Sequence, residues 1–494
     1  MNDVVTVEDA LSTRAQKEQA KKADLPLYAS RVKVHPKNVS GIFRRLKWAV
    51  LILLLAIYYV VPWIRWDRGP DAPDQAVLAD IVNGRLYFFW IEIWPQEVYY
   101  LTGLLILGAV GLFLVTSLAG RVWCGYACPQ TVWTDLYMWV ERLIEGDRNA
   151  RIRLDKAPMS AAKFGKRSLK HLVWLVIAAA TGGAWIMYFN DAPTVVRDLF
   201  TGQASTAVYF FTGLFTATTY LLAGWAREQV CTYMCPWPRF QAAMFDEDTL
   251  IVTYESWRGE PRGRHQKGQV FEEGTRGDCV DCNLCVAVCP TGIDIRDGQQ
   301  LECIGCALCI DACNSVMTKV GRPTDLITYD TQRNQDARAA KQAVPRYRLV
   351  RPRTALYSLL FLVVAGAMLW TLAFRASLDI NVLHDRNPLF VTLSDGSIRN
   401  GYTVKILNKT RDDRAYLLGV EGLTGADLTV VGQEGSGGAA ILEAPSDSVA
   451  SFRLYLRLPS AVVESDTLPF AFTLTDPESG EVARNDTVFR GPKR

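Results

Sequence analysis

The sequence predicts a multidomain membrane protein with three parts: a five-helix α transmembrane domain, an inserted cysteine-rich domain and a C-terminal all-β sandwich. The first observation is composition, because 49% of the 494 residues are hydrophobic, 11% are aromatic and only 21% are charged. The second is the placement of cysteine, since eight of the 12 cysteines lie between positions 279 and 313. The third is a change to alternating apolar and polar residues near the end of the chain. Together these features indicate apolar helices joined to soluble domains.

The N-terminal segment, residues 1–45, is polar and charged. We expect a cytoplasmic tail there, because no apolar signal sequence starts near Met1. Five apolar runs that are long enough to cross a bilayer follow at 46–64, 97–119, 171–189, 205–226 and 354–374. The first four belong to a transmembrane domain over residues 46–240, and the fifth is a separate helix at 354–375. The segment 65–96 is predicted to be a loop.

Lysine and arginine predict the orientation of these helices. Nine of them lie in the segment 120–168, whereas three lie in 65–96 and one lies in 190–204. Because Lys and Arg are enriched in cytoplasmic loops, the N-terminus, the segment 120–168 and the cysteine-rich domain at 241–353 are predicted to be cytoplasmic. Five spans then place residues 376–494 on the other side of the membrane.

The cysteine-rich domain contains two runs with the spacing C-x2-C-x2-C-x3-C. The runs are Cys279, Cys282, Cys285, Cys289 and Cys303, Cys306, Cys309, Cys313. This spacing is typical of ferredoxins with two [4Fe–4S] clusters, in which the fourth cysteine of each run binds the other cluster. The predicted ligand sets are therefore Cys279, Cys282, Cys285, Cys313 for the first cluster and Cys303, Cys306, Cys309, Cys289 for the second. Zinc is the alternative, and two identical four-cysteine runs disfavour it.

The remaining four cysteines form two C-x3-C-P motifs, each just after a predicted span. They are Cys124, Cys128, Cys231 and Cys235. Because residues four apart share one face of a helix, each motif is expected to offer two sulfurs to one point, and the proline to end or kink the helix. Soft thiolates favour Cu(I), zinc or an iron–sulfur centre, and Met234 is a further soft ligand for copper. The alternative is that these cysteines are small residues packed beside a helix kink.

The last 119 residues, 376–494, show the alternation of half-buried strands in TVKILN, FRLYLRL and FAFTLT. Turn residues separate these stretches at 394–397 and 476–480. The length and pattern predict a small β-sandwich, and its lack of cysteine means that core packing alone stabilises it.

Several long motifs resemble one family. The stretches are GDCVDCNLCVAVCPTGIDIRDGQQLECIGCALCIDAC at 277–313, GRVWCGYACPQTVW at 120–133, EGDRNARIRLDKAP at 145–158 and CTYMCPWPRF at 231–240. They are similar to the cytochrome c oxidase accessory proteins called CcoG, FixG or RdxA, although Asn314 replaces the Asp common there. The resemblance implies an immunoglobulin-like C-terminal domain in the periplasm, a multi-pass location in the bacterial inner membrane, and a role in assembling cbb3-type oxidase.

The resemblance also implies an activity, the reduction of Cu(II) to Cu(I). From the spacing and softness of its sulfurs, we expect the C-x3-C-P quartet to be the catalytic site. Implied partners are the lipid bilayer, oxidase assembly factors or copper chaperones, and an unidentified cytoplasmic electron donor; no nucleic-acid partner is expected. Two alternatives stay open. One is a quinol-linked electron relay like NapH or NosR, and the other is a non-enzymatic assembly scaffold.

Overall fold

The computed structural model describes residues 33–69, 72–263, 276–433 and 436–492, so most of the predicted N-terminal tail lies outside the described residues. The chain divides into two compact units. Unit 1 comprises the residues up to Leu53, Val115–Ala178 and Ala217–Leu349, and unit 2 comprises Leu54–Leu114, Ala179–Thr216 and the residues from Val350 onward.

The described residues contain α-helices throughout the first three quarters of the chain. They are α1 (Ile42–Val60), α2 (Tyr99–Ala119), α3 (Pro129–Glu145), α4 (Arg148–Lys156), α5 (Ala161–Met187), α6 (Ala192–Thr201), α7 (Thr206–Thr219), α8 (Trp237–Met244), α9 (Ser256–Gly259), α10 (Leu284–Val288), α11 (Leu308–Val320), α12 (Gln332–Ala339) and α13 (Pro352–Ala373). Three π-helical segments, Trp123–Ala127, Tyr220–Ala226 and Val230–Met234, interrupt this series.

Five helical stretches are long and apolar enough to cross a membrane, which confirms the predicted five-helix architecture. They are Ile42–Trp63, Pro95–Ala119, Ala161–Met187, Thr206–Ala226 and Pro352–Ala373. The third begins ten residues before the predicted start, at Ala161 instead of 171. Its first turns carry basic residues that an apolar pattern passes over. Lys170 in these turns forms an ion pair of 2.9 Å with Glu145, so the helix continues beyond its apolar part.

The cysteine-rich part of unit 1 is built around a two-stranded antiparallel sheet. Its strands are β4 (Ile251–Tyr254) and β5 (Ile327–Asp330), and the two short helices α10 and α11 pack against each other. The buried core contains Val252, Ile295, Ile310, Met317, Leu326 and Ile327 together with Cys279 and Cys285. The cysteines thus form part of the hydrophobic core of this domain.

An extended segment before α1 ties the first helix to the cysteine-rich domain. The backbone N–H of Lys37 donates to the carbonyl of Ala287 at 2.8 Å. The carboxylate of Asp311, which lies between Cys309 and Cys313, accepts from the backbone N–H groups of Phe43 at 3.3 Å and Arg44 at 2.7 Å. Asp311 therefore caps the N-terminus of α1, where helix N–H groups have no partner within the helix.

Unit 2 contains a small sheet where a loop was predicted over 65–96. The strands β1 (Val77–Asp80), β2 (Arg85–Phe88) and β3 (Ile91–Ile93) form an antiparallel meander. The prediction was wrong here although the sequence has a hairpin signal. Asn83 and Gly84 lie between β1 and β2, and Gly84 has a φ of +70°, which suits the turn of such a hairpin.

The C-terminal domain is the predicted β-sandwich. Its strands are β6 (Leu378–His384), β7 (Val391–Thr392), β8 (Ile398–Asn408), β9 (Arg414–Glu421), β10 (Asp427–Val430), β11 (Ser436–Gly437), β12 (Ala439–Ala444), β13 (Ser448–Leu458), β14 (Thr467–Thr475) and β15 (Val482–Arg490). One sheet has the order β11-β10-β13-β8-β6, with β7 beside β8, and the other has β12-β9-β14-β15. Side chains such as Tyr402, Leu418, Leu454 and Phe472 fill the core between the sheets.

Candidate functional site

The first predicted ligand set comes together in unit 1. Cys279 and Cys285 are buried, Cys313 is half-buried and Cys282 is exposed. The pKa of the Cys313 thiol is raised to about 12, first by burial and then by the neighbouring sulfurs of Cys285, Cys282 and Cys279. The spatial proximity crosses from one run to the other, as the ferredoxin spacing predicts.

The second predicted ligand set also comes together. Cys289, Cys303, Cys306 and Cys309 all line one cavity, with Ile304 and Ala307 among the apolar residues of its wall. Burial raises the pKa of Cys309 well above its usual range, and the sulfurs of Cys306, Cys303 and Cys289 act in the same direction. The fourth cysteine of the first run therefore lies with the first three of the second run.

The two runs share one local conformation. Asn283 and Ala307 each occupy the position after the second cysteine of their run, and each adopts the left-handed region with φ of 57° and 58°. A short helix, α10 or α11, starts at the next residue and carries the third cysteine. This conformation is uncommon for residues other than glycine. Its repetition at matched positions indicates that the two ligand sets are held by the same loop conformation.

The donor set fits [4Fe–4S] clusters better than zinc. Over the described residues, no three His, Cys, Asp or Glu side chains converge so as to hold one metal ion. A structural zinc ion needs four ligands around a single point. A [4Fe–4S] cluster instead takes one thiolate at each of its four iron corners. The four cysteine sulfurs are therefore farther from one another than the ligands of a single zinc ion. When bound, the two clusters would each accept and donate one electron.

The C-x3-C-P motifs are not regular helix, which corrects the expectation based on helical spacing. In the first motif the N–H of Cys128 donates to the carbonyl of Trp123 at 2.8 Å, and in the second the N–H of Cys235 donates to that of Val230 at 2.8 Å. Both are i to i−5 bonds, which define a π turn. The second cysteine of each motif is extended, and α3 starts at Pro129 immediately afterwards. Such π turns occur frequently at functional sites.

The structure brings the four cysteines of these motifs together. The pKa of Cys124 is raised to about 12 by burial, and the sulfurs of Cys128, Cys231 and Cys235 lie close enough to contribute. The Cys124 thiol donates a hydrogen bond of 3.1 Å to Oε1 of Gln241. Cys235 is exposed, and so is Met234, with 62% of its surface accessible. Among the described residues, no three of these sulfurs converge closely enough to hold one metal ion together.

The quartet lies against the loop that carries the second ligand set. Cys124 and Cys231 pack against the apolar cluster that contains Ile304, Cys306 and Leu308. A Cβ atom added to Gly125 would be 2.9 Å from the carbonyl oxygen of Gly305 and 3.0 Å from the Cys306 nitrogen. The backbones of the two segments are therefore in contact, and the hydroxyl of Tyr126 also donates to the Cys306 carbonyl at 3.3 Å.

Arg121 is a part of this site that the sequence did not identify beyond its contribution to the orientation. It is 6% exposed and lies three residues before Cys124. Its guanidinium donates to the carbonyls of Cys303 at 2.8 Å, of Pro238 at 2.6 Å and of Leu301. One side chain thus links the first motif, the start of α8 and the second ligand set. The sequence signal was its position three residues before the first cysteine of the motif.

Comparison with known proteins agrees with this site. Family models match residues 226–332 as a 4Fe-4S dicluster domain, 101–146 as a 4Fe-4S binding domain, and 368–492 as the immunoglobulin-like fold at the C-terminus of FixG. Nitrogen fixation protein FixG of Rhizobium meliloti (strain 1021) is 50% identical over 482 residues, which cover 92% of each chain. The chain belongs to the FixG/RdxA family. It is therefore an iron–sulfur protein of the oxidoreductase type.

Two other relatives are informative. Protein RdxB of Cereibacter sphaeroides is 50% identical over 474 residues, covering 94% of this chain and 97% of RdxB. Ferredoxin-type protein NapH of Escherichia coli (strain K12) is 22% identical over 286 residues, covering 50% of this chain and 88% of NapH. The dicluster match decides against zinc at the two cysteine runs, and the match over 101–146 includes Cys124 and Cys128.

Proposed function

We propose that this FixG/RdxA protein is a membrane-bound electron-transfer protein that reduces Cu(II) to Cu(I) for the assembly of a cbb3-type cytochrome c oxidase. The observation that supports it is the backbone contact of Gly125 with Gly305 and Cys306, which joins the C-x3-C-P quartet to the second ligand set. Each Cu(II) takes up one electron and no proton. The ferredoxin domain loses that electron and regains it from a cytoplasmic reductant.

The quartet is suited to copper as a substrate. Thiolate and thioether sulfur are soft ligands that favour Cu(I) over harder ions. Cys235 and Met234 are exposed, so they are accessible to an arriving ion, whereas Cys124 and Cys231 lie on the side of the second ligand set. We infer that copper binds at the exposed pair and is reduced through the inner pair.

The proposal includes a location and partners. The Lys and Arg pattern supports a location in a bacterial inner membrane with the ferredoxin domain in the cytoplasm and the C-terminal domain in the periplasm. Cu(I) would then pass to a copper chaperone or to an oxidase assembly factor. The electron donor would be a soluble cytoplasmic reductant.

The test compares the parent protein with a Cys124→Ala, Cys231→Ala double variant. Both are reduced with dithionite under nitrogen, freed of excess dithionite, and mixed with Cu(II) and a chromogenic Cu(I) chelator. We expect the double variant to reduce copper at least about tenfold more slowly, because the inner sulfurs between copper and the clusters are removed. Its iron content should stay at about eight atoms per chain, as two [4Fe–4S] clusters require. Met159→Leu, a change at an exposed position outside the quartet, is the control.

Two results would contradict this assignment. Parent-like copper reduction by the double variant would leave reduction to the ferredoxin domain alone. A fall in iron below the parent value would instead indicate that the quartet holds a further iron–sulfur centre, which the 4Fe-4S binding match over 101–146 favours as a second candidate.

A quinol-linked relay is the other candidate, because the chain is similar to NapH over half of its length. It predicts that a reduced quinone analogue bleaches the oxidised clusters of the purified protein without dithionite. A non-enzymatic scaffold would show neither quinol oxidation nor copper reduction.

A further inference from the structure

Arg121 is a buried cation without an ion-pair partner among the described residues. Its guanidinium donates to three backbone carbonyls, those of Leu301, Cys303 and Pro238. Burial lowers the pKa of Arg121, and the sulfurs of Cys124, Cys303 and Cys231 and the more distant carboxylate of Glu302 oppose this shift. The guanidinium of Arg121 therefore lies between the quartet and the second ligand set.

The cations near the first ligand set are different, because carboxylates neutralise them. Arg296 acts on Cys285 but forms ion pairs of 2.7 Å with Asp281 and 2.6 Å with Asp294. Arg258 acts on Cys313 but pairs with Asp278 at 2.9 Å. The positive charges of Arg296 and Arg258 are therefore neutralised by carboxylates in direct contact with them.

One more buried cation lies near the second set. Lys47 acts on Cys306 and is 3.8 Å from Asp135, which Arg44 also binds at 2.8 Å. Asp135 also acts on Cys306, and the buried carboxylate of Asp311 accepts from the backbone N–H of Arg44 at 2.7 Å. The two cations at this place therefore face two carboxylates, which leaves Arg121 as the cation without an ion-pair partner.

We propose that Arg121 raises the reduction potential of the iron–sulfur cluster bound by Cys289, Cys303, Cys306 and Cys309. Reduction adds one negative charge, and a nearby positive charge in a poorly solvated site stabilises the reduced form more than the oxidised form. Net charge and hydrogen bonding are among the factors that set such potentials. When the ferredoxin domain holds one electron, the charge of Arg121 increases the share of that electron that resides beside the quartet. This inference rests on the proposed electron-transfer function and specifies where the electron is held.

The test is a redox titration of the complete detergent-solubilised protein, followed by electron paramagnetic resonance and carried out without copper. Cys282→Ser identifies which signal belongs to the first set. We expect Arg121→Met to lower the potential of the second set so that its share of a single electron, relative to the first set, falls at least about tenfold, or about 59 mV. Arg121→Lys keeps the charge and should restore most of the parent value. Arg322→Met, which removes an exposed cation paired with Asp278, should change neither potential.

The outcomes separate this inference from the copper proposal. Equal potentials of the second set in the parent and in Arg121→Met would overturn the inference, whatever the copper-reduction rate. A shifted potential in a protein that does not reduce copper would support the inference and reject the copper activity. If Arg121→Met loses iron, Arg121→Gln, which keeps two hydrogen-bond donors without the charge, must show the same downward shift or the inference fails.

Discussion

Two glycines bring the quartet and the second ligand set into contact. Gly125 approaches the backbone of Gly305 and Cys306. Gly305 has a φ of +67°, and a Cβ atom added to it would be 3.2 Å from the backbone of Arg121. We expect Gly125→Ala to separate the two segments and to slow copper reduction by roughly tenfold to a hundredfold, since small displacements of reacting groups are costly. Overpacking of this kind also destabilises by about 1–3 kcal/mol. Single-turnover copper reduction and thermal unfolding measure the two effects.

Gly165→Ala is the matched control for this prediction. Gly165 lies on α5 in the same unit, and a Cβ there would meet no atom within 4 Å. Because alanine favours helix over glycine, the control should be slightly stabilised, by up to about 1 kcal/mol, and should reduce copper at the parent rate. If Gly125→Ala behaves in the same way as Gly165→Ala, the backbone contact has no part in electron transfer.

At the scale of elements, regular patterns were predicted well and local backbone departures were not. The spans have the hydrophobic pattern of a helix, and the strands β8, β13 and β14 have that of a strand. The burial of their side chains could therefore be predicted from the pattern. The π turns at Cys124 and Cys231 were missed because a single wider turn leaves the residue spacing unchanged. The sheet β1–β3 was missed because its strands have only three or four residues each.

That small sheet carries a carboxylate with an unusual proton affinity. The pKa of Glu92 on β3 is raised from 4.5 to about 7, first by burial and then by the nearby Asp447 carboxylate, while Arg85 opposes the shift. The folded chain therefore binds this proton more tightly than the unfolded chain. The resulting stabilisation is full below pH 4.5 and is lost as the pH rises through 7.

We expect unit 2 to unfold at a lower temperature at pH 8 than at pH 5.5, with a loss of at most about 3 kcal/mol from this one group. Thermal unfolding followed by circular dichroism of the β-structure measures it. Glu92→Gln should flatten the pH dependence, whereas Glu443→Gln, at an exposed site on β12, should keep it. Identical pH profiles of the parent and Glu92→Gln would show that Glu92 has no such role.

At the scale of the whole molecule, the distribution of Lys and Arg predicts the orientation. Alkaline phosphatase, which is active only outside the cytoplasm, should be active when fused after Arg494 and inactive when fused after Arg338. The physical reason is that short loops rich in Lys and Arg stay in the cytoplasm. Green fluorescent protein at the same positions should give the opposite pattern. Alkaline phosphatase activity of the Arg338 fusion would place the ferredoxin domain outside the cytoplasm and contradict the predicted orientation.

The iron–sulfur character of the cysteine runs was predictable because all eight cysteines lie within 35 residues, at a spacing with few other uses. The link between the two cysteine sets was not predictable. Gly125 and Gly305 are 180 positions apart, and so are Tyr126 and Cys306. Arg121 reaches Cys303 across a sequence separation of 182. A local sequence pattern cannot predict contacts between residues this far apart in the chain, because such contacts depend on how the folded helices and loops pack.

The cap on α1 has a consequence for the order of biogenesis. Asp311 follows Arg44 by 267 positions, so the first membrane helix emerges from the ribosome long before its capping carboxylate. During this interval three further spans and the first cysteine run are synthesised. The first helix reaches its final hydrogen-bonded state only after the chain has been synthesised as far as Asp311, which lies within the second cysteine run. The amino-terminal end of the first helix is thus completed only when most of the redox domain has been synthesised.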